Sequence, residues 1–320
     1  MFINTLNQKK HSISRFGFAI VAGVMLLAGF HQGAFAAEGR QKTFKSPEEA
    51  VKALAEAVKG SDTKKLLAIL GPKGKELILS GDEVADKTGR EHFVKAYEEM
   101  NKLVNESDTR VILHVGNGDW PFPIPVVKKG EYWLFDTIAG REEILNRRIG
   151  RNELNAIQVC LAYVDAQREY VLKERDGDKV LEYAQRFISR KGEKNGLYWE
   201  AKEGEEQSPL GSLIAKASGE GYAGKGPGGK RNPYHGYYYR ILKSQGKNAP
   251  GGEYDYVVNG KMIGGFALVA YPAEYGNSGV MTFIVNQDGM VYEKNLGEDT
   301  EKIAPAMKKF DPDKTWKKAE

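Results

Sequence analysis

GKMIGGFALVAYPAEYGNSGVMTFIVNQDGMVYEKNLG, residues Gly260 to Gly297, is the stretch in which strand alternation, turn chemistry and glycine placement all agree. Phe266, Leu268 and Ala270 alternate with Ala267, Val269 and Tyr271, and both sets are apolar, so the spacing predicts a strand covered on both faces. Pro272 ends it. Tyr275-Gly276-Asn277-Ser278-Gly279 is a loop of residues that tolerate positive φ, and a second apolar run follows from Val280 to Val285. Asn286-Gln287-Asp288-Gly289 then reads as a tight reversal into Met290-Val291-Tyr292. The expectation is a three-stranded antiparallel meander without a recognisable catalytic residue.

Upstream, Asn152 is positioned to cap a long helix whose apolar residues Leu154, Ile157, Leu161, Val164 and Val171 step by three and four. That face is expected to lie over Phe266, Leu268 and Phe283. Cys160 beside it, with nothing nearby to hold a thiolate, reads as a buried, inert thiol. Asp176-Gly177-Asp178 breaks the helix and lacks the further oxygen ligands of a calcium loop, so Asp178 reads as the cap of another helix through Leu181, Ala184, Phe187 and Ile188. Ser208-Pro209 starts a short helix. Gly224 to Lys230 has the glycine and lysine spacing of a phosphate-binding loop, but Arg231 stands where the magnesium-ligating hydroxyl belongs and a strand follows, not a helix. Nucleotide binding is therefore not expected, and Gly219 to Asn232 reads as a loop. Tyr237 to Ile241 adds a strand, and Tyr254 to Val258 bridges to the meander.

The N-terminal half begins with a capped helix: Ser46 as N-cap, Pro47 at the first position, Glu49 three residues after the cap, then Ala50, Val51, Leu54, Ala57 and Val58 on one face. Asp62 caps a second helix through Leu70, and a third pattern runs from about Arg90 to Val104. The period then becomes two at Val111, Leu113 and Val115. Pro121, Pro123 and Pro125 fit an edge strand or extended loop, and Val126-Val127 with Tyr132 to Phe135 forms a final hairpin. The expected organisation is α+β. An N-terminal α+β domain spans 37–138, a connector helix 139–151, and a helix-plus-sheet domain 152–320.

Residues 1–36 carry targeting signals: a basic start with Lys9, Lys10 and Arg15, an uncharged stretch from Phe16 to Phe30, and Ala34-Phe35-Ala36 as a small-x-small cleavage site. That stretch is shorter than the roughly 20 apolar residues a membrane span needs, so cleavage before Ala37 and export are expected, with no stable membrane span afterwards. Of 47 basic residues, 44 remain in the mature chain against 43 acidic ones, which leaves no strong electrostatic footprint for nucleic acid. With Cys160 alone, no disulfide can form within the chain.

Two resemblances of pattern follow. Helices first and then a strand meander ending in Lys129-Gly130 and Trp133-x-Phe135 resembles the cone-shaped nuclear-transport-factor-two and SnoaL-like fold over Phe44 to Ile138. Asn152 to Tyr170, a Gly236-Tyr237-Tyr238 strand and the Asp288-Gly289 strand pair are similar to type IV pilin-like heads, although no prepilin peptidase site is present. Across nearly the whole mature chain, Arg147 to Leu154, Tyr163 to Tyr170, Gly236-Tyr237-Tyr238 and Gly265-Phe266 through Tyr275-Gly276 resemble a secreted bacterial family, the domain of unknown function numbered 2950. It implies no established activity.

The leading functional expectation is a non-enzymatic envelope or secreted protein that binds another protein or a surface polymer, without cofactor or metal. The alternative is a periplasmic hydrolase or isomerase using a pocket of the first domain, with His114, Asp119 and Asp136 as acid or base and Trp120 as a wall. Glycan binding through Tyr237, Tyr239 and Tyr254 is a third option, which requires exposed rings, and Tyr275 joins them as a candidate contact. The favoured reading of those tyrosines is a sheet face covered by the long helix, because aromatic residues favour pleated surfaces.

Overall fold

Capping side chains set where the helices begin in the computed structural model, which describes residues 41–222 and 232–319. The expected targeting segment and the Gly224–Lys230 loop lie outside the described residues. Ser46 Oγ accepts the Glu49 N–H at 3.2 Å and starts α1 (Pro47–Lys59), which buries Ala50, Val51, Leu54 and Ala57. Asp62 does the same for α2 (Thr63–Leu70), and a single turn, α3 (Lys75–Ile78), follows. Asp82 starts α4 (Glu83–Glu99), earlier than the spacing predicts. Its first two turns hold only Val84 and Ala85 as apolar residues, so the apolar period begins at Phe93. It also ends earlier: Met100 is extended, and Leu103 and Val104 belong to a strand, because pairing with Leu113 and Ile112 overrides their helical spacing.

That strand is β1 (Asn101–Ser107), followed by β2 (Arg110–Val115), the short β3 (Trp120–Pro121), β4 (Val126–Lys129) and β5 (Tyr132–Phe135). They form an antiparallel sheet in the order β1-β2-β4-β5, with β3 beside β2. Leu54, Leu66, Ile69, Leu113, Val126 and Phe135 fill the core between this sheet and the first helices.

The expected connector and long helix are one element, α5 (Thr137–Tyr170), 34 residues long. Asp136, not Asn152, caps it, accepting the Ala139 N–H at 3.3 Å. Gly150 leaves the helix unbroken, since an isolated interior glycine costs only about 1 kcal/mol relative to alanine. The buried face of α5 is also rotated from the expected one. Leu154 is 63% and Leu161 36% exposed, whereas Asn152, Ala156, Cys160, Tyr163, Val164, Gln167 and Tyr170 are buried. Polar members of that face are satisfied: Gln167 accepts the Ala184 N–H and donates to the Ala184 carbonyl, both at 2.8 Å, as a paired backbone would. Val164 and Ile157 do pack in the core that contains Phe266, Leu268 and Phe283, so the helix lies on the sheet as expected, but on a different stripe.

Between α5 and α6 (Gly211–Gly219) the backbone is irregular, and the expected helix from Asp178 does not form. Asp178 accepts the Val180 N–H, Tyr183 pairs with Met262, and Ile188 pairs with Tyr198, which draws the segment into bridges. Leu181 and Ile188 are exposed in consequence.

The remaining strands are β6 (Tyr237–Leu242), β7 (Ser244–Gln245), β8 (Tyr254–Asp255), β9 (Val257–Val258), β10 (Lys261–Met262), β11 (Ala267–Pro272), β12 (Met281–Asn286) and β13 (Tyr292–Asn295). They are followed by α7 (Thr300–Ala306) and β14 (Lys317–Lys318). The meander β11-β12-β13 forms as read, extended by β6 and β14 into the order β14-β13-β12-β11-β6. Ala267 to Ala270 are fully buried, which accounts for a strand apolar on both faces. At its hairpin, Gly289 takes φ +80° and donates to the Asn286 carbonyl.

Candidate functional site

The structure brings together two of the three expected catalytic residues. His114, on β2, lies with Nδ1 3.1 Å from Oδ1 of Asp119, which sits in the following turn at φ +52°. Lys102, opposite His114 on β1, places Nζ 2.8 Å from the same oxygen. The Lys102 hydrogen bond, assisted by His114, holds the Asp119 carboxyl below the usual carboxylate range. Asp136 does not join them, because its side chain is spent on the N-terminus of α5. Trp120 is 40% exposed, with its ring edge toward Phe122.

The tyrosines do not form one platform. Tyr237 has no exposed surface and its hydroxyl donates to the Met281 carbonyl at 2.9 Å, so it cannot stack on a ligand. Tyr239 is half-buried, with its phenol pushed well up by burial. Tyr254 is exposed edge-on to Tyr256, and Tyr275 donates to Asn295. Burial pushes the Cys160 thiol up to about 12, which keeps it protonated and inert.

A groove of about 730 Å³ lies between α1, the α1–α2 turn and the length of α4. α4 buries none of its residues, so one side remains open. Val58, Leu79 and Val94 make the groove's apolar lining, and Ser61, at φ +48°, and Thr63 add hydroxyls. Most of its charges are paired: Lys59 with Glu98 at 2.6 Å, Lys87 with Glu91 at 3.8 Å, Lys95 with Glu99 at 4.0 Å. Asp86 accepts the Ser80 N–H, and burial pushes its carboxyl up against the pull of Arg148 and Arg90. Two lining charges differ. Arg90 has a buried Nε with no acceptor, and Glu83 makes no ion pair, among the described residues.

Beneath the start of α4 lies a polar seam that ties the two halves together. Asp82 is 1% exposed: Oδ1 accepts the Ala85 N–H, while Oδ2 accepts the Tyr222 hydroxyl and the Gly236 N–H, each at 2.8 Å. Gly236 at φ +75° is required here, since a Cβ would stand 2.5 Å from Asn152 Nδ2. His235 precedes it, 3.3 Å from Glu220, and burial pushes its imidazole down despite that carboxylate. Alongside, Arg148 donates to the carbonyls of Glu76 and Leu77 and to Asn277, which donates to the Leu79 carbonyl. Glu153 accepts the N–H groups of Val280 and Met281.

Sequence reasoning did not single out Asp82, Arg90, Tyr222 or Arg148 as site residues. A signal existed for part of the seam: the stretches around Arg148 to Glu153, Gly236 and Gly276, which carry the family resemblance, converge there. Among the described residues no group of three or more His, Cys, Asp or Glu is placed to hold a metal ion, and no helix is long and apolar enough to cross a membrane.

A family model described as "Protein of unknown function (DUF2950)" matches residues 41–319. No curated protein and no solved structure matches the chain.

Proposed function

We propose that this chain, which belongs to the DUF2950 family, is an exported, non-enzymatic binding module of the cell envelope or the secreted fraction, with the α1–α4 groove as its recognition surface. The groove carries this reading: it is open along a 17-residue helix none of whose residues is fully buried, and it has the size of a ligand site, which is typically about 300–1,000 Å³. The seam supports it from below by holding the start of α4 in register. Export rests on Lys9, Lys10, Arg15, the apolar stretch and Ala34-Phe35-Ala36. Within this reading, helices on a curved sheet in 37–138 are the nuclear-transport-factor-two-like half, and α5 over the meander is the pilin-head-like half. Both are arrangements suited to presenting a binding surface.

The test uses the mature chain with a photo-crosslinking residue at Val94 in the groove or at Ile303, exposed on α7, incubated with the envelope fraction. Adducts specific to Val94 are expected, and equal labelling at both positions, or none, would refute the assignment. Mass spectrometry of the exported protein should find Ala37 at its N-terminus.

The second reading, a periplasmic hydrolase or isomerase, is favoured by the 3.1 Å contact between His114 and Asp119. Turnover of a small substrate lost in both His114→Ala and Asp119→Asn would establish it.

A further inference from the structure

Among the described residues, the two charges of the groove without ion-pair partners have opposite signs. Glu83 and Arg90 both line it from α4, seven residues apart. Seven residues are two helical turns, about 10.5 Å along the axis. The charges between and beyond them are occupied: Asp86 by the Ser80 N–H, Lys87 and Glu91 by each other, Lys59 and Glu98 by each other. Arg90 lines the groove and makes no ion pair among the described residues, so a carboxylate entering there would give its guanidinium the counter-charge it lacks.

The neighbours of Arg90 define which anion fits. Asp86 and Glu91 lie one turn before it and directly after it, so a phosphate dianion would meet two carboxylates, whereas a single carboxylate is neutralised by the guanidinium it contacts. Glu83 in turn suits a cation, and a primary ammonium supplies it. Between the two stand Val58, Leu79 and Val94 for an apolar body, with the Ser61 and Thr63 hydroxyls to meet backbone amides. An extended chain spans at most about 3.3–3.6 Å per residue, so about three residues cover the distance.

We propose that the α1–α4 groove takes a short zwitterionic peptide, about three residues long when extended, with its terminal carboxylate on Arg90 and its terminal ammonium on Glu83. The assignment rests on the groove being the recognition surface and names the ligand class of that surface.

Titration calorimetry with Ala-Leu-Ala on the mature chain tests it, using the free peptide, its N-acetyl form and its C-terminal amide. Capping either end should weaken binding roughly tenfold or more, as expected for a lost charge-assisted hydrogen bond. In Arg90→Met, acid and amide should bind equally, while the dependence on the amine persists. In Glu83→Gln the reverse should hold. Arg90→Gln serves as a second variant, with thermal unfolding as the check that α4 is intact. No binding at millimolar peptide, equal binding of the doubly capped form, or terminal dependence unchanged in both variants would overturn the proposal. If the peptide fails while Val94-specific adducts persist, the ligand class is wrong and the groove stands. If both fail, the groove is not the site.

Discussion

Replacing Asp82 by alanine should destabilise the protein far more than the same change at Asp62, although both carboxylates cap a helix through one oxygen at 3.0 Å. At Asp82 the loss has two parts. Removing an N-cap costs about 1 kcal/mol. The second oxygen then leaves the Gly236 N–H, which is buried, without its acceptor, and Tyr222 without its hydroxyl partner. Orphaning each buried donor costs about 1–3 kcal/mol, so with the lost cap the whole change comes to about 3–7 kcal/mol. Against a total stability of roughly 5–15 kcal/mol for a domain, that is a large fraction. Asp62 is half-buried, caps α2 and otherwise pairs with the exposed Lys65 ammonium at 3.3 Å, so Asp62→Ala approximates the capping part. Urea unfolding followed by circular dichroism, on Asp82→Ala, Asp62→Ala and Tyr222→Phe, separates the contributions. Tyr222→Phe removes a donor and leaves Asp82 its other two, so it should be the mildest of the seam changes. If Asp82→Ala costs no more than Asp62→Ala, the seam does not hold the halves together and the coupling of α4 to the C-terminal half is refuted.

Three further outcomes are expected. Burial lowers the His235 pKa in the folded protein, so the unfolded chain binds more protons; stability is complete above the ordinary histidine range of about 6.5 and falls as pH drops through and below it. His235→Asn, which tolerates the positive φ at this position, should flatten that limb in unfolding curves collected from neutral to mildly acidic pH. Lys194 and Lys173 hold Glu206 down to about 2, so its contribution is present above the ordinary glutamate range and is lost as pH falls toward 2; Glu206→Gln should remove this acid-side loss. On α5, Leu154→Ser should leave the thermal midpoint nearly unchanged, while Ala156→Leu, at a position with no exposure, should cost about 1–3 kcal/mol by overpacking. Equal effects at the two positions would show that the buried stripe has been misplaced.

The comparison of these two α5 positions shows where local reading reached its limit. Leu154 and Leu161 look like core residues because apolar spacing is the strongest signal a helix offers, yet they face solvent. Asn152 and Gln167 look like surface residues, but buried carbonyls and amides of other segments satisfy them. The same limit explains the missing helix after Asp178, whose residues pair with Met262 and Tyr198 in place of their own neighbours. It also explains Tyr237, an aromatic residue in a strand that could face either way until α5 and the adjoining strands closed over it.

By itself the sequence determined the features encoded within a few residues: the caps at Ser46 and Asp62, the alternation of β11, the Asp288-Gly289 turn, the α+β class and the family membership. Only the tertiary structure decided the groove and the seam beneath it. Asp82 meets Gly236 across 154 residues and Arg148 meets Asn277 across 129, and no periodicity records such a pairing. A capping hydroxyl or a turn glycine acts on backbone a few atoms away, so its role is legible in place. Whether a carboxylate ends up buried and shared, or a guanidinium ends up facing an open groove, depends on which distant segments the folded chain brings to it.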